Sequence, residues 1–422
     1  FSVYRRIFSV IFLTNMVGVF FVFRNPAVQP VALNHLATWA SANFLVCILI
    51  RQDFSVNFIF RSAWLIPWCV PLRIRRIAAR AYNYGGIHSG TAVAGTMWFV
   101  AFTALTTRDF VLHRQYTLPV LVLTWLILVV LVIILLTAFP ALRMRYHNTF
   151  ELAHRFLGWI SILLFWGQLL LLTMHTADSA DIGSAFVRNP TFWMLAVITA
   201  LLIYPWLRIR RWTFTPEQLS AHALRLHFTQ PVHRFSAVTI SSSPLREWHP
   251  FATFPSVDAA TPGSSMVVSA AGDWTRQLVL NSQRPTRLWV RGVVKAGVLS
   301  LSCMFRRVII VTTGSGIGPA LSSMALAHRP AAQFCRLIWS TRDPLATYGA
   351  KLVAEVRAAD PEALILDTTA MGRPDLVAVA WKMWRDSGAE AVFVLSNQAV
   401  TRKVVYGLEA RGVPVFGPVF DS

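Results

Sequence analysis

The sequence predicts a multidomain fold: a six-helix transmembrane bundle, then a small antiparallel β-barrel, then an α/β nucleotide-binding domain. Three observations point to it. Of the 422 residues 55% are hydrophobic and 16 are Trp, and the mean hydropathy is +0.52, too apolar for an ordinary soluble chain of this length. The long apolar runs are confined to residues 1–207, whereas 213–422 read as a water-soluble α/β protein. In that second part, short alternating strands give way to alternating strand and helix patterns. The expected domains are therefore 1–212 for the bundle, 213–305 for the barrel and 306–422 for the nucleotide domain.

Crossing a hydrocarbon core takes roughly 20 helical residues. Six stretches are long enough, near 7–23, 32–50, 87–107, 118–139, 152–173 and 190–207. Basic clusters follow every second span. Arg5 and Arg6, then Arg51, Arg61, Arg73, Arg75, Arg76 and Arg80, then Arg143 and Arg145, then Arg208, Arg210 and Arg211 all fall on one side of such a bundle. The positive-inside rule makes that side cytosolic, together with both termini and the soluble part. A multi-pass protein of the plasma membrane or an endomembrane is expected, with the lipid bilayer as a partner.

The net charge of +20 raises nucleic acid as a partner. The arginines, however, sit beside apolar runs, and no basic helix, zinc pattern or RNA-binding motif accompanies them, so no nucleic acid is expected. Cys47, Cys69, Cys303 and Cys335 are dispersed without C-x-x-C spacing, which argues against a metal-thiolate site or a disulfide framework. The chain begins at Phe1 without a charged leader, as a piece of a longer chain would. Few acidic groups in the spans and no broken-helix pattern argue against a transporter.

Two histidines stand out in the apolar half. His88 opens the third span in Gly85-Gly86-Ile87-His88, and His154 lies in the first turn of the fifth, in Phe150-Glu151-Leu152-Ala153-His154. Both helices enter from the cytosolic side, so the imidazoles share a depth, as a bis-histidine b-type haem requires. The alternative is a pair of interfacial histidines hydrogen-bonded near their helix starts. His35, His113 and His175 read as solvated residues of the outer face, and His147 as part of the basic inner loop.

In the second half, strands are expected at 222–228, 235–241, 265–270 and 287–291, separated by turn residues, as in a small barrel. Trp248-His249-Pro250-Phe251-Ala252-Thr253-Phe254 is a Pro-fixed extended segment of the kind that lies against an isoalloxazine ring. Downstream, Val308-Ile309-Ile310-Val311-Thr312-Thr313 is a buried-strand run that leads into Gly314-Ser315-Gly316-Ile317-Gly318-Pro319 and a helical pattern over 320–327. Strand, glycine turn and helix N-terminus together make an anion site for a dinucleotide pyrophosphate, with a plain strand-to-helix turn as the alternative. A second strand at 334–339 ends in Ser340-Thr341-Arg342-Asp343, where hydroxyls and Arg342 suit a ribose 2′-phosphate or stand solvated. Strands at 363–367 and 391–395 complete the pattern and bring Gly314, Thr341, Asp367 and Ser396 to the carboxyl ends of the sheet.

Taken together these motifs resemble the NADPH oxidase and ferric reductase superfamily over essentially the whole chain, and within it the fungal Tmp-type integral membrane flavoproteins. His249-Pro250-Phe251 resembles the flavin motif of that family, Gly272-Asp273-Trp274-Thr275 the segment after its flavin loop, Gly314 to Pro319 its glycine turn, Arg342-Asp343 its second-strand end and Gly372-Arg373-Pro374 a further nucleotide contact. The resemblance implies a ferredoxin-reductase-like module behind the spans. It also implies FAD at His249, Pro250, Phe251, Thr253, Trp274 and Thr275, and NADPH or NADH at Gly314, Ser315, Gly316, Gly318, Arg342, Arg373 and Ser396. Phe420 would stack on the flavin or serve as a core aromatic.

There are departures from the family pattern. Its helices carry paired histidines 13 or 14 residues apart, about 20 Å of helix, yet Phe102 follows His88 at that spacing and Gly167 follows His154. Only one inner haem remains possible on that pattern. Leu395-Ser396-Asn397 replaces Cys-Gly-Pro, and Ala252 replaces the Thr after His-Pro-Phe. The expected function is a membrane oxidoreductase that passes electrons from NAD(P)H to FAD and on to one haem or a cytosolic-side acceptor. A slow redox sensor or scaffold that keeps nucleotide and flavin binding is the alternative.

Overall fold

The structure is a computed structural model that describes residues 2–25, 31–176, 181–232, 235–255, 263–324, 330 and 332–420. In chain order, ten helices come first: α1 (Val3–Arg24), α2 (Leu33–Leu49), α3 (Asp53–Trp64), α4 (Leu72–Ala78), α5 (Gly85–Arg108), α6 (Leu118–Thr137), α7 (Pro140–Arg145), α8 (His147–Thr176), α9 (Ile182–Arg188) and α10 (Pro190–Leu207). The barrel region follows as β1 (Arg210–Gln218), β2 (Ala223–Phe228), β3 (Ser236–Ser241), β4 (His249–Ala252), β5 (Phe254–Pro255), β6 (Ser264–Ser269), α11 (Asp273–Asn281) and β7 (Thr286–Ala296). The last part holds β8 (Arg307–Thr313), α12 (Ile317–Met324), β9 (Phe334–Thr341), α13 (Pro344–Ala359), β10 (Leu364–Asp367), α14 (Thr368–Met371), α15 (Leu376–Ser387), β11 (Ala391–Leu395), α16 (Gln398–Glu409) and β12 (Val415–Phe416).

The chain divides into two compact units. Among the described residues, one comprises those of 1–52 and 83–207; the other comprises those of 53–82 and 208–420. In the first unit, five helices are long and apolar enough to cross a membrane, and six if the pair α2 and α3, bent by 68°, counts as one span. Apolar side chains face outward along these helices, among them Leu163 at 71% and Val10 at 64% exposure. The unit packs through small residues. A Cβ on Gly90 would lie 3.2 Å from Ile11, and one on Gly95 3.0 Å from Phe44, so α1 and α2 approach the α5 backbone as small-residue helix pairs do. Polar groups cross-link the same helices. Asn43 Nδ2 and Trp98 Nε1 both donate to Asn15 Oδ1 at 2.9 Å, and Gln168 Nε2 donates to Thr124 Oγ1 at 2.6 Å.

The second unit holds two sheets. The first runs β4-β3-β7-β1-β2-β6-β5 with antiparallel pairing throughout. Its edge strands β4 and β5 are separated only by Thr253, so the sheet bends round on itself as a barrel. The barrel is filled by Phe214, Leu224, Leu226, Val238, Ile240, Met266, Val268 and Leu288, with Trp274 packed against the cluster. The second sheet is parallel, in the order β10-β9-β8-β11-β12. Its strands are continuous apolar runs because helices cover both faces. The helical pattern expected over 320–327 is α12 as far as Met324; 325–327 lie outside the described residues.

Residues 53–82, expected as a loop of the 1–212 domain, instead pack with the second unit. Asn57 pairs with the main chain of β7 as a strand would, with Nδ2 donating to Val294 O at 2.9 Å and Oδ1 accepting from Ala296 N at 2.8 Å. Trp68 Nε1 donates to Cys303 O at 2.8 Å. Arg75, 4% exposed, donates to Met304 O at 2.6 Å and forms an ion pair with Glu390 at 3.0 Å. Arg80 pairs with Glu409 at 3.1 Å and lies over the Phe416 ring. Of the arginines that read in sequence as a membrane-topology signal between the second and third apolar stretches, Arg75, Arg76 and Arg80 are engaged by specific partners. Arg210 and Arg211, read with the same signal, open β1, and Arg211 stacks over Trp289.

Candidate functional site

The parallel sheet brings Gly314, Thr341, Asp367 and Ser396 to the carboxyl ends of β8, β9, β10 and β11, adjacent strands of one sheet. The glycine turn needs its glycines. Gly314 has φ +53°, a left-handed value that suits a residue without Cβ, and a Cβ there would meet the Tyr348 hydroxyl at 3.4 Å. A Cβ on Gly316 would collide with Thr312 Oγ1 and stand 3.0 Å from Leu395 O. One on Gly318 would touch the Phe254 ring at 3.4 Å, so the start of α12 abuts the strand that follows the flavin segment.

Side chains from neighbouring strands fix this turn. Trp339 Nε1 donates to Gly314 O at 3.0 Å. Tyr348 stacks edge-on against Trp339 and is buried, and that burial pushes its phenol up. Thr313 Oγ1 and Ser396 Oγ are hydrogen-bonded to each other at the carboxyl ends of β8 and β11. Sequence reasoning missed Thr313, Trp339 and Tyr348. The available signal was that Trp339 ends a buried strand with an indole N–H that requires a partner.

Arg342 at the end of β9 and Arg373 after α14 are exposed, and Ser315 in the glycine turn is half-buried. Phe420 is also half-buried, whereas Phe416 stacks on Phe393 inside the core. The flavin residues form their own cluster. His249 stacks on Trp274 with ring centroids 4.2 Å apart, and Phe251 lies 6.2 Å from the same indole. Pro250 faces outward on β4, and Trp274 Nε1 donates to Ser242 Oγ at 2.9 Å. His249 Nε2 lies 3.2 Å from Glu247 Oε2 without hydrogen-bond alignment, so this buried nitrogen has unused capacity. Two expected flavin hydroxyls are already engaged. Thr253 Oγ1 donates to Ser236 O at 3.1 Å, and Thr275 Oγ1 caps α11 by accepting from Gly272 N at 2.9 Å.

In the helical unit, His88 and His154 come together, with ring centroids 6.2 Å apart. His88 Nδ1 bonds Cys47 O at 2.8 Å, which leaves its Nε2 free, and His154 Nδ1 is buried without a partner. Phe102 is buried and stacks on Phe99, and Gly167 lines an apolar cavity of about 340 Å³ with Trp166, Leu170, Phe186 and Phe192. Among the described residues no group of three or more His, Cys, Asp or Glu side chains is placed to hold a metal ion.

Residues 298–422 match the C-terminal domain of adenylate-forming reductase 03009. The whole chain is similar to two curated proteins of Coprinopsis cinerea. It is 41% identical to adenylate-forming reductase 03009 over 426 residues and 39% identical to adenylate-forming reductase 06235 over 425. In both comparisons all of this chain is covered but only 40% of the relative, so the chain spans about two-fifths of their length. Half of the chain is also similar to a ferredoxin NADP+ reductase from Neisseria gonorrhoeae with bound FAD and NADP, at TM-score 0.39 and 14% identity, with 98% of that chain covered. Full-length CYP116B46 from Tepidiphilus thermophilus is similar at TM-score 0.41 and 18% identity, over 50% of this chain and 29% of that one.

These relatives overturn the expected kinship with the NADPH oxidase and ferric reductase superfamily and its Tmp-type branch, because the matching family is a different one. The reason is physical. His249-Pro250-Phe251, the Gly314 turn and Arg342-Asp343 are short local patterns of the kind that the chemistry of a site can impose on unrelated chains. Such sites recur across lineages and report chemistry rather than descent.

Proposed function

We propose that this chain is the electron-input part of a membrane-bound reductase, in which the module formed by 53–82 and 208–420 takes hydride from NADPH or NADH onto bound FAD. The observation that carries this reading is the glycine turn at the carboxyl end of β8. It opens beside the Thr313–Ser396 hydroxyl pair, and Gly318 abuts Phe254 at the end of the flavin segment. The residues fit both cofactors. Gly314 to Gly318 offer backbone N–H groups at a helix start for a pyrophosphate. His249 Nε2, near Glu247 but without an aligned hydrogen bond, stands with its ring stacked on an indole for the flavin. Bound FAD supplies the conversion of a hydride pair into single electrons. The protein's own part is to orient the two rings, with Arg342 and Arg373 toward nucleotide phosphates and Thr313 and Ser396 beside the nicotinamide. The relatives' name joins adenylate formation to reduction, and the reductive part is the one we assign to this chain.

The outward apolar surface of the first unit favours lipid as its solvent. Residues 53–82, between α2 and α5, pack in one unit with 208–420, which follow α10. Both termini in the cytosol is the topology that the basic residues Arg5, Arg6, Arg143 and Arg145 favour. His88 and His154, whose ring centroids lie 6.2 Å apart, are the residues that would hold one b-type haem if it binds. Such a group would serve as a one-electron carrier.

The test is the absorption spectrum of the detergent-purified chain before and after anaerobic NADPH. Flavin bleaching together with a reduced b-type haem band, the band absent in His88→Ala and His154→Ala, is the expected result. Bound flavin without any haem band would remove the haem, and the absence of any flavin would overturn the reductase reading.

A further inference from the structure

The second-strand end carries an arrangement that the binding roles above leave unexplained. Asp343 is one of three described non-glycine residues with positive φ, at +22°, a conformation that costs of order 1–3 kcal/mol unless its surroundings impose it. The surroundings do so from both sides. Asp367, the last residue of β10 and paired in register with Thr341, accepts from Asp343 N at 3.0 Å through Oδ1. The same oxygen accepts from Thr369 N at 2.8 Å and Ala370 N at 3.4 Å. Thr347 Oγ1 donates to Arg342 O at 2.9 Å, and Asp343 Oδ1 accepts from Ala346 N at 2.9 Å as the cap of α13. The peptide group that joins Arg342 to Asp343 is thereby held at both its carbonyl and its N–H, and the guanidinium of this turn projects from a main chain fixed on that side.

These contacts also settle what the two acidic side chains at this corner are doing. A carboxylate at a second-strand end commonly accepts from a ribose 2′-hydroxyl. Here Asp343 is turned into its own helix cap and Asp367 into three backbone N–H groups. The Thr369 amide first, then those of Asp343 and Ala370, hold the Asp367 carboxyl below its usual range, so it stays ionised and keeps these bonds at neutral pH. Arg342, exposed at this turn, is left as its one cation and the group suited to meet a phosphate.

We propose that Asp367 is a positioning residue: it locks the Arg342–Asp343 turn so that Arg342 meets the adenosine 2′-phosphate, making NADPH the nucleotide of choice. The inference rests on the nucleotide reading of the glycine turn. The full chain in detergent is tested with two probes that differ only in that phosphate, 2′,5′-ADP and 5′-AMP, for displacement of bound NADPH, together with steady-state flavin reduction by NADPH.

Wild type should bind 2′,5′-ADP at least about tenfold more tightly than 5′-AMP, the size expected of a charge-assisted contact. Asp367→Ala should lose most of that preference and raise KM for NADPH by a similar factor, with kcat for flavin reduction and affinity for 5′-AMP kept. Asp367→Asn, which retains the accepting oxygen, should restore most of the preference. A merely structural role would weaken both probes together. An unchanged preference in Asp367→Ala, or equal binding of the two probes by wild type, overturns the proposal while the nucleotide site stands. If wild type binds neither probe nor NADPH, the nucleotide reading itself has failed and the proposal falls with it.

Discussion

The nucleotide end and the flavin end of the module are built by different means. At the nucleotide end the main chain is fixed in advance: Gly314 O is held by Trp339, the Asp343 amide by Asp367, and the Gly316 turn has no room for a Cβ. At the flavin end the expected residues hold one another. His249 stacks on Trp274, and the hydroxyls of Thr253 and Thr275 are taken by the fold itself. A rigid backbone cradle suits a substrate that must arrive and leave at every turnover, and an adaptable side-chain stack suits a cofactor that stays. Variants at the nucleotide end should therefore change KM, and variants at the flavin end should change cofactor content.

The largest expected effect lies behind the nucleotide sheet. Arg75→Ala leaves Glu390 without its ion-pair partner and strips Met304 O of a donor. Loss of one member of a buried pair costs about 3–5 kcal/mol, so thermal melting of the purified chain should fall by several degrees. Burial by itself raises the Glu390 carboxyl, but the hydrogen bonds from Arg75 and the Arg306 amide outweigh it and hold the group below its ordinary value. With the folded pKa below the unfolded one, the pair's contribution is complete above the ordinary carboxylate range and is lost as pH falls through the lowered folded value. Melting curves of wild type and Arg75→Ala should accordingly converge on acidification. A gap that stays constant from neutral pH to pH about 3 would remove Glu390 from this explanation.

Next in size is Gly316→Ala, which forces Thr312 or Leu395 to move. Overpacking of this kind costs about 1–3 kcal/mol. It should raise KM for the nucleotide about tenfold or more while the purified protein keeps its flavin, and loss of flavin with unchanged KM would reverse the comparison. Trp274→Ala is the mirror case. Removal of a stacked aromatic partner, worth about 0.5–1.5 kcal/mol, should lower the flavin-to-protein ratio after gel filtration and leave 2′,5′-ADP binding as it was. The smallest expected change is Ser396→Ala, which strips Thr313 of its hydroxyl partner. It should slow anaerobic flavin reduction a few-fold at saturating NADPH, with binding unchanged.

Legibility in the sequence followed the range of the forces involved. β8, its glycine turn and α12 lie next to one another along the chain, and apolar pattern plus glycine spacing were enough to find them. The six apolar stretches coincide with α1, α2, α5, α6, α8 and α10 for the same reason, although α2 meets the length for a span only together with α3. Residues 53–82 were misread because arginines beside apolar runs look alike whether they face lipid headgroups or a protein surface. Only the distant partners Val294, Met304, Glu390 and Phe416 decide which. Strand β1 was obscured by the same reading of Arg210 and Arg211. The state of a hydroxyl is harder still to foresee. Nothing local says that Thr253 is bonded to Ser236 O while Thr313 faces Ser396.

The most direct measurement is rapid anaerobic mixing of the detergent-purified, flavin-loaded chain with NADPH carrying deuterium at the transferred position of the nicotinamide. Flavin bleaching slowed by a primary isotope effect relative to unlabelled NADPH is the expected result, because direct hydride transfer from nicotinamide to flavin breaks that carbon–deuterium bond and needs no acid or base between the rings. Bound flavin that NADPH and NADH both leave oxidised would contradict hydride transfer within this module.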